Sequence, residues 1–292
     1  MKVTAYCPGH ITGFFLPCIH EDPLRTGSRG AGMCIDRGVT TSIEVMPGEG
    51  SMEFIINGRH GDAPVMRSAL ENIVGEGSYD ITVDASLELP ISSGFGMSAA
   101  GALSAAFALA EALGRTREEA FAAAHRAELS NGTGLGDVAA LSRGGMTFRR
   151  REGLPPHGRI DRLTDTLDVV AAVVGPVIRT SDVLGDPLRR RKIESIGREC
   201  YLRLAKDPTP DTFFRTSREF TMRTGLAGPA VMAALEAVDG LGDASMIMLG
   251  NSVFARGDLD AMEKELLRFG PTYRLSLDLH GPRVLSSEGS LI

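Results

Sequence analysis

Apolar residues recur along this chain with two periods. Alternating or short β-branched runs predict strands, and spacings of three and four residues predict helices. The predicted strands cover 3–7, 33–45, 52–57, 79–87, 144–149, 168–174, 245–249 and 273–279. The predicted helices cover 65–74, 98–113, 117–129, 187–205, 210–223, 229–238 and 259–269, with a helical turn over 138–142. Strands and helices mix without regular alternation, which predicts an α+β protein rather than a doubly wound sheet.

Two polar stretches interrupt the pattern. Residues 8–32 are rich in glycine and proline, which predicts a loop after the first strand. Residues 150–166 are polar and contain Pro155, Pro156 and Gly158, which predicts a boundary between lobes. A chain of 292 residues is long enough for two lobes. We therefore expect an N-terminal lobe over 1–155, which carries the functional residues, and a C-terminal lobe over 156–292.

The helix predicted over 98–113 consists almost wholly of small and apolar residues, so it is expected to be buried. Gly94 and Gly96 stand directly before it. The unpaired N–H groups of a rigidly held helix N-terminus form a site for an anion, most commonly phosphate. A plain helix cap after a tight turn explains the glycines equally well. The segment has no lysine and is not a Walker A loop, and it is not a dinucleotide fingerprint.

The charge of the chain reduces the number of partner classes to consider. The net charge is −6 and the isoelectric point is about 5.6, which argues against nucleic acid or an anionic membrane as a partner. No apolar run is long enough to span a bilayer, and no leader is recognisable, so a cytoplasmic location is expected. A symmetric homodimer is the expected assembly.

The string PISSGFGMSAA, residues 90–100, resembles the P-x-x-x-G-[LF]-G-x-S-[AS]-A signature of the GHMP kinases, the superfamily of galactokinase, homoserine kinase and mevalonate kinase. The resemblance implies a two-lobed α+β fold with a ribosomal-protein-S5-like N-terminal lobe. It also implies ATP and Mg²⁺ as cofactors. The residues that it places on ATP are Pro90, Ser92, Ser93, Gly94, Phe95, Gly96, Met97, Ser98, Ala99 and Ala100.

The segment 125–145 supplies two isolated carboxylates. Glu128 falls in the last turn of a predicted helix, and Asp137 follows a G-T-G-L-G turn ahead of Gly144–Gly145. Alone, Glu128 is better explained as a solvated helix carboxylate, and Asp137 as a helix N-cap. Their order after residues 90–100 resembles the GHMP pattern. That resemblance implies Ser98 and Glu128 as Mg²⁺ ligands, and Asp137 as the residue that orients or deprotonates the acceptor hydroxyl.

The first and third GHMP motifs are present with departures. His10, in P-G-H, stands where better-known members carry lysine or arginine, and a neutral imidazole there can donate or accept a hydrogen bond. His20 lies where galactokinase-like sequences have a histidine, although a histidine on a polar loop is the plain alternative. The glycine-rich third motif is reduced to Gly250 within 243–256.

The strings PGHITGFF, HEDPLRTGSRGAG, TGLGDV and MLGNSVFA resemble the archaeal pantoate kinase branch of the superfamily. This implies phosphorylation of the primary hydroxyl of pantoate to 4-phosphopantoate in coenzyme A biosynthesis. The substrate carboxylate requires a cation, and arginine suits it best. The candidate substrate-binding residues are His10, His20, Arg29 and Arg149, although residues 149–151 also read as a solvated charge run.

Two other functions remain open. A GHMP kinase for another small alcohol, of mevalonate, homoserine or sugar type, shares the same motifs. A non-catalytic ligand sensor with this fold is expected to lack the acid or the metal ligand. Ser98, Glu128 and Asp137 are all present, which favours catalysis.

Overall fold

A computed structural model describes residues 1–176 and 186–291. The strands are β1 (Lys2–Cys18), β2 (Gly27–Pro47), β3 (Met52–Ile56), β4 (Arg59–His60), β5 (Tyr79–Leu87), β6 (Met146–Arg151), β7 (Arg159–Thr164), β8 (Asp168–Val173), β9 (Gly242–Ile247), β10 (Ser252–Gly257), β11 (Thr272–Ser276) and β12 (Arg283–Glu288). The helices are α1 (Pro64–Val74), α2 (Met97–Ala112), α3 (Arg117–Asn131), α4 (Asp137–Leu141), α5 (Pro187–Lys206), α6 (Pro210–Thr224), α7 (Pro229–Ala237) and α8 (Leu259–Leu266). Helices and strands are mixed as predicted, and the α+β class is confirmed.

The larger sheet has eight strands and is built around β1 and β2. Its main order is β12-β1-β2-β5-β3-β4, while β6 pairs with the first part of β2 and β7 pairs with β6. The pairing is antiparallel except between β3 and β5. The second sheet has four antiparallel strands in the order β11-β8-β10-β9. A single bridge, from Ile35 to Leu277, links strand β2 to the chain just after β11.

The sheets do not divide at residue 155. Strands β7 and β12 come after that position, yet both belong to the larger sheet, where they pair with β6 and β1. The polar stretch that predicted a boundary therefore contains a strand, because charged side chains on an edge strand face solvent without cost. The division of the chain into two domains stays a prediction.

The loop predicted over residues 8–32 is wrong for most of its length. Strand β1 continues to Cys18 and β2 begins at Gly27, with two register shifts between them. The glycines serve close packing rather than a turn. A Cβ on Gly32 would lie 2.3 Å from the carbonyl oxygen of Ile11, and one on Gly30 equally close to that of Phe14. Glycine in a strand marks a bulge or a close approach of this kind.

Helix α2 lies in the centre of the molecule, as its composition predicted. Nearly all of its residues are buried, and it packs against β1, β2, α1 and α3. The next helix, α3, is closed at its start by a capping box between Thr116 and Glu119, which fixes where it begins. These two helices set the positions of the glycine–serine turn before α2 and of Glu128. Across residues 1–176 and 186–291, none of the helices combines the length and apolar character that crossing a bilayer requires.

Candidate active site

The glycine–serine turn before α2 needs its glycines. Gly94 has φ 93°, and Gly96, the N-cap of α2, has φ 66°. Residues other than glycine rarely adopt these positive φ values. Space is short as well. A Cβ on Gly94 would lie 2.6 Å from the Ile247 side chain, and one on Gly96 would lie 3.2 Å from the His10 backbone.

Two neighbouring segments hold this turn in place. The His10 N–H donates to the Phe95 carbonyl at 2.9 Å from the β1 side. From the other side, the Ser252 hydroxyl donates to the Ser93 carbonyl at 2.7 Å. Gly250 lies so close that a Cβ there would approach the Ser93 oxygen to 2.2 Å. Glycine offers no side-chain cap to α2, so the first N–H groups of this helix are available to an anion.

A cleft of about 290 Å³ opens beside this turn, between the larger sheet and the residues that follow β9. It is lined by Thr12, Phe15, Ser28, Ile91, Ser92, Gly94, Gly96, Met97, Ser98, Ala99, Glu128, Asn131, Gly132, Thr133, Gly134, Leu135, Gly136, Asp137, Arg149, Met248 and Leu249. The helix N-terminus, two carboxylates and a buried arginine therefore share one opening.

Glu128 lies near the end of α3 and is only 3% exposed. Its Oε1 accepts hydrogen bonds from the Ser98 hydroxyl at 2.5 Å and from the Thr133 hydroxyl at 2.8 Å. Burial raises the pKa of Glu128 to about 7, and the charge of Asp137 adds to the increase. A carboxylate that is costly to ionise, with two hydroxyls beside it, forms an all-oxygen donor set suited to a hard divalent cation.

Asp137 begins α4 and contacts two residues of β1. Its Oδ1 lies 2.6 Å from His10 Nδ1 and accepts a longer hydrogen bond of 3.5 Å from the Thr12 hydroxyl. Burial alone would raise the pKa of Asp137. The hydrogen bond from His10 and the charge of Arg149 outweigh burial and hold this pKa below its ordinary value. Asp137 is therefore an ionised carboxylate in the same cleft as Glu128.

His10 is fully buried beneath Asp137. An ionised carboxylate only accepts hydrogen bonds, so we assign the proton to Nδ1. The other ring nitrogen, Nε2, has no hydrogen-bond partner within the described residues, and it lies so close to Gly32 that a Cβ there would approach it to 2.5 Å. Burial lowers the pKa of His10. The imidazole is thus a neutral donor, which replaces the cation that the resemblance led us to look for.

Arg149 projects from β6 and is 1% exposed. Its Nε donates to the Ser28 carbonyl at 3.3 Å, while its Nη1 is buried and finds no partner in the described parts of the chain. Gly136 makes room for it, since a Cβ there would lie 3.0 Å from Nε. Burying a guanidinium with a free N–H is costly unless an anion joins it. Arg149 is therefore a buried strand residue rather than part of a solvated charge run.

His20 and Arg29 belong to a different cluster. His20 Nε2 lies 2.8 Å from Glu152 Oε1, and Arg29 Nε donates to Glu152 Oε2 at 2.6 Å. Although burial opposes it, the hydrogen bond from Arg29 lowers the pKa of Glu152 to about 2, with His20 contributing. Neither His20 nor Arg29 lines the cleft. Their predicted contacts with substrate stay predictions.

The other predicted residues divide by position. Ser92, Gly94, Gly96, Met97, Ser98, Ala99, Glu128, Asp137 and Arg149 line the cleft, whereas Pro90, Ser93, Phe95, Ala100 and His10 do not line it. Four polar lining residues escaped the sequence analysis, namely Thr12, Ser28, Asn131 and Thr133. Thr133 lies within the G-T-G-L-G turn and could have been found there. Nothing in the sequence distinguishes Thr12 and Ser28 from other strand residues.

The chain is similar to known proteins over its whole length. The family described as GHMP kinases N terminal domain matches residues 64–145. A pantoate kinase of Methanospirillum hungatei is 35% identical, over 99% of this chain and 98% of that protein. A pantoate kinase of Methanocaldococcus jannaschii is 33% identical, over 89% of this chain and 95% of that protein. A solved structure described as a phosphotransferase related to the CoA biosynthesis pathway superposes with a TM-score of 0.87 at 31% identity, covering 97% of this chain and 98% of the other.

The glycine–serine turn before α2, the pair of carboxylates with opposite pKa shifts and the full-length similarity agree with one another. The chain belongs to the pantoate kinase family of the GHMP kinases.

Proposed function

We propose that this chain transfers the γ-phosphoryl group of ATP to the C4 hydroxyl of pantoate, which gives 4-phosphopantoate and ADP. The observation that carries the proposal is the cleft itself. It combines a helix N-terminus for phosphate, a carboxylate for a hydroxyl and a buried arginine for a carboxylate. The full-length relatives named pantoate kinase support the same acceptor.

The nucleotide phosphates are placed at the start of α2. The turn from Ser92 to Gly96 presents backbone N–H groups without side-chain bulk, and the helix dipole favours the negative charge that develops during transfer. Ser98, Glu128 and Thr133 are the residues that would hold Mg²⁺, because their oxygens already converge on one another. A divalent ion held by these residues would supply neutralisation of phosphate charge during transfer.

The acceptor hydroxyl is placed at Asp137. His10 and Thr12 both engage Oδ1, so Oδ2 is left to accept the proton of the C4 hydroxyl. As that proton moves to Asp137, the C4 oxygen forms a bond to the γ-phosphorus and the bond from phosphorus to the bridging oxygen breaks, which releases ADP. The lowered pKa of Asp137 keeps it ionised and ready to orient the hydroxyl.

The carboxylate of pantoate is placed on Arg149. Its free Nη1 is buried within the cleft wall, and the Ser28 carbonyl already fixes the guanidinium through Nε. A bound carboxylate satisfies that buried N–H and removes the cost of leaving it without a partner. A homodimer remains the assembly that we propose for this enzyme.

An acceptor panel tests the proposal. The purified chain is given ATP and Mg²⁺ with pantoate, pantothenate, homoserine, mevalonate or galactose, and release of ADP is measured. We expect release with pantoate alone. Release with another member would leave the phosphoryl-transfer chemistry standing and overturn the acceptor. Binding of ATP without turnover of any acceptor would favour a ligand sensor.

A further inference from the structure

One row of the larger sheet crosses the floor of the cleft. Phe15 in β1 is paired with Gly30 in β2, and Gly30 is paired in turn with Arg149 in β6. Residues directly opposite one another in antiparallel strands project from the same face, and both Phe15 and Arg149 line the cleft. Gly30 between them has no side chain. Since neighbouring strands lie about 4.8 Å apart, the two side chains start about 10 Å apart, which leaves room for a small molecule.

The two ends of this row differ in chemistry. Arg149 carries a charge and a buried Nη1 that has no hydrogen-bond partner among residues 1–176 and 186–291. Phe15 is 4% exposed, and its ring packs against Phe220 with centroids 5.6 Å apart. Met248, whose N–H donates to the Thr12 carbonyl at 3.0 Å, extends the apolar surface along the cleft. The floor of the cleft thus runs from a cationic end to a rigid apolar end.

Pantoate has the complementary pattern. Two methyl groups are bonded to C3, which lies between C2 and C4. The carboxylate is attached to C2, and the hydroxyl that is phosphorylated is attached to C4. With the carboxylate on Arg149 and the hydroxyl at Asp137, the branched carbon needs an apolar surface of fixed shape. We propose that Phe15 recognises the two methyl groups and selects pantoate over unbranched hydroxy acids. This inference rests on the proposed function and adds a specificity-determining residue to it.

The size of the effect follows from the methyl groups. One methylene in an apolar pocket discriminates between substrates by roughly 10- to 200-fold. We therefore expect kcat/KM for pantoate to exceed that for 2,4-dihydroxybutanoate, which lacks both methyl groups, by about 100-fold. Phe15→Leu replaces the flat ring with a smaller, mobile side chain. It lowers this ratio about tenfold, chiefly by lowering kcat/KM for pantoate.

The experiment measures kcat/KM for both acceptors with the wild type, Phe15→Leu and Phe14→Leu. Phe14 is the matched control, because it is fully buried, also packs near Phe220 at 6.5 Å, and is paired with Ala31 on the opposite face of the sheet. Phe14→Leu loses similar packing and leaves the ratio unchanged. Arg149→Ala lowers kcat/KM for both acceptors by the same factor, since both carry the carboxylate.

A Phe15→Leu ratio within twofold of the wild-type ratio overturns the inference. So does a wild type that uses both acceptors equally well, and this second outcome needs no variant to fold. The same measurements distinguish failure of this inference from failure of the proposed function. If the wild type phosphorylates neither acceptor, both proposals fall, whereas turnover of pantoate without preference leaves the function standing and removes the role of Phe15.

Discussion

Glu128 and Asp137 line the same cleft, and burial acts on both, yet their pKa values shift in opposite directions. Glu128 accepts hydrogen bonds from hydroxyl groups, and its pKa is raised to about 7. Asp137 has an imidazole N–H and the charge of Arg149 nearby, and its pKa is lowered. The difference shows that the hydrogen-bond partners, rather than burial, assign the roles of two similar groups. In the proposed mechanism, Glu128 holds the cation and Asp137 binds the acceptor hydroxyl.

Replacing Asp137 gives the largest effect expected. Asp137→Asn keeps the shape and can still accept from His10, but it cannot take a proton. We expect kcat to fall by about 10³, while the Kd for ATP changes by less than about threefold. Steady-state kinetics and nucleotide titration measure the two quantities. Near-normal turnover would rule out a base role for Asp137.

The raised pKa of Glu128 predicts a stability cost. In the unfolded chain this group titrates near 4.5, and in the folded chain near 7. Between these values the folded state holds the extra proton, so stability falls as pH rises from about 4.5 to 7 and then levels off. The full cost is about 3 kcal/mol. Glu128→Gln removes it, so we expect a higher Tm than the wild type at pH 8 and an equal Tm at pH 4.5, without divalent metal.

Glu128→Gln must also lose activity if Glu128 and Asp137 have the different roles proposed for them. An amide binds Mg²⁺ poorly, so Glu128→Gln is expected to be more stable and less active. Glu118→Gln, on the exposed surface of the same helix, is the control and leaves both the pH dependence of Tm and turnover unchanged. A Glu128→Gln protein that is no more stable than the wild type at pH 8 would contradict the assigned burial cost.

His10 is expected to have an intermediate effect. His10→Ala removes the donor to Asp137, so the pKa of Asp137 rises and the acid limb of the kcat profile moves to higher pH. Loss of a hydrogen bond to a charged group corresponds to about a 10- to 100-fold decrease in kcat. His10→Asn restores an N–H donor and should recover part of the loss. Equal losses in both variants, with no movement of the acid limb, would assign His10 to packing alone.

Thr133 should give the smallest effect. Thr133→Val removes a neutral donor to Glu128, so the pKa of Glu128 rises further and half-saturation by Mg²⁺ requires about threefold more metal. Ser130→Ala is a suitable control, because the Ser130 hydroxyl donates to the Ala127 carbonyl of its own helix. A Thr133→Val enzyme with unchanged Mg²⁺ dependence would remove Thr133 from the cation site.

The local parts of the site could be predicted from the sequence. The Gly94–Gly96 turn, the buried helix after it and Glu128 near the end of α3 all follow from composition and short-range spacing. The strand character of residues 8–18 could not be predicted, because glycine reads as a turn unless its partner strand is known. Strand β12 was missed because its side chains are mostly exposed and lack an alternating pattern.

The assignment of substrate contacts depended most on the fold. The sequence analysis assigns Arg29 and Arg149 to the substrate as cations near recognisable motifs, and it adds His20 because galactokinase-like sequences have a histidine there. In the structure His20 and Arg29 share Glu152, which the sequence analysis did not consider. Glu152 lies 132 positions after His20 in the chain. A contact over that distance produces no periodic pattern in the sequence around either residue.

The sequence by itself determined the residue types available to this protein: a glycine turn before an apolar helix, two isolated carboxylates, an arginine after the Gly144–Gly145 pair, and the family to which they belong. These features rest on residue identity and on interactions within a few residues. Only the tertiary structure decided which groups meet. It placed His10 against Asp137, which is 127 positions away in the chain. It also turned the Arg149 side chain toward the cleft, with Phe15 on the other side of Gly30. Those contacts depend on strand register, and register is a property of the folded sheet rather than of any single segment.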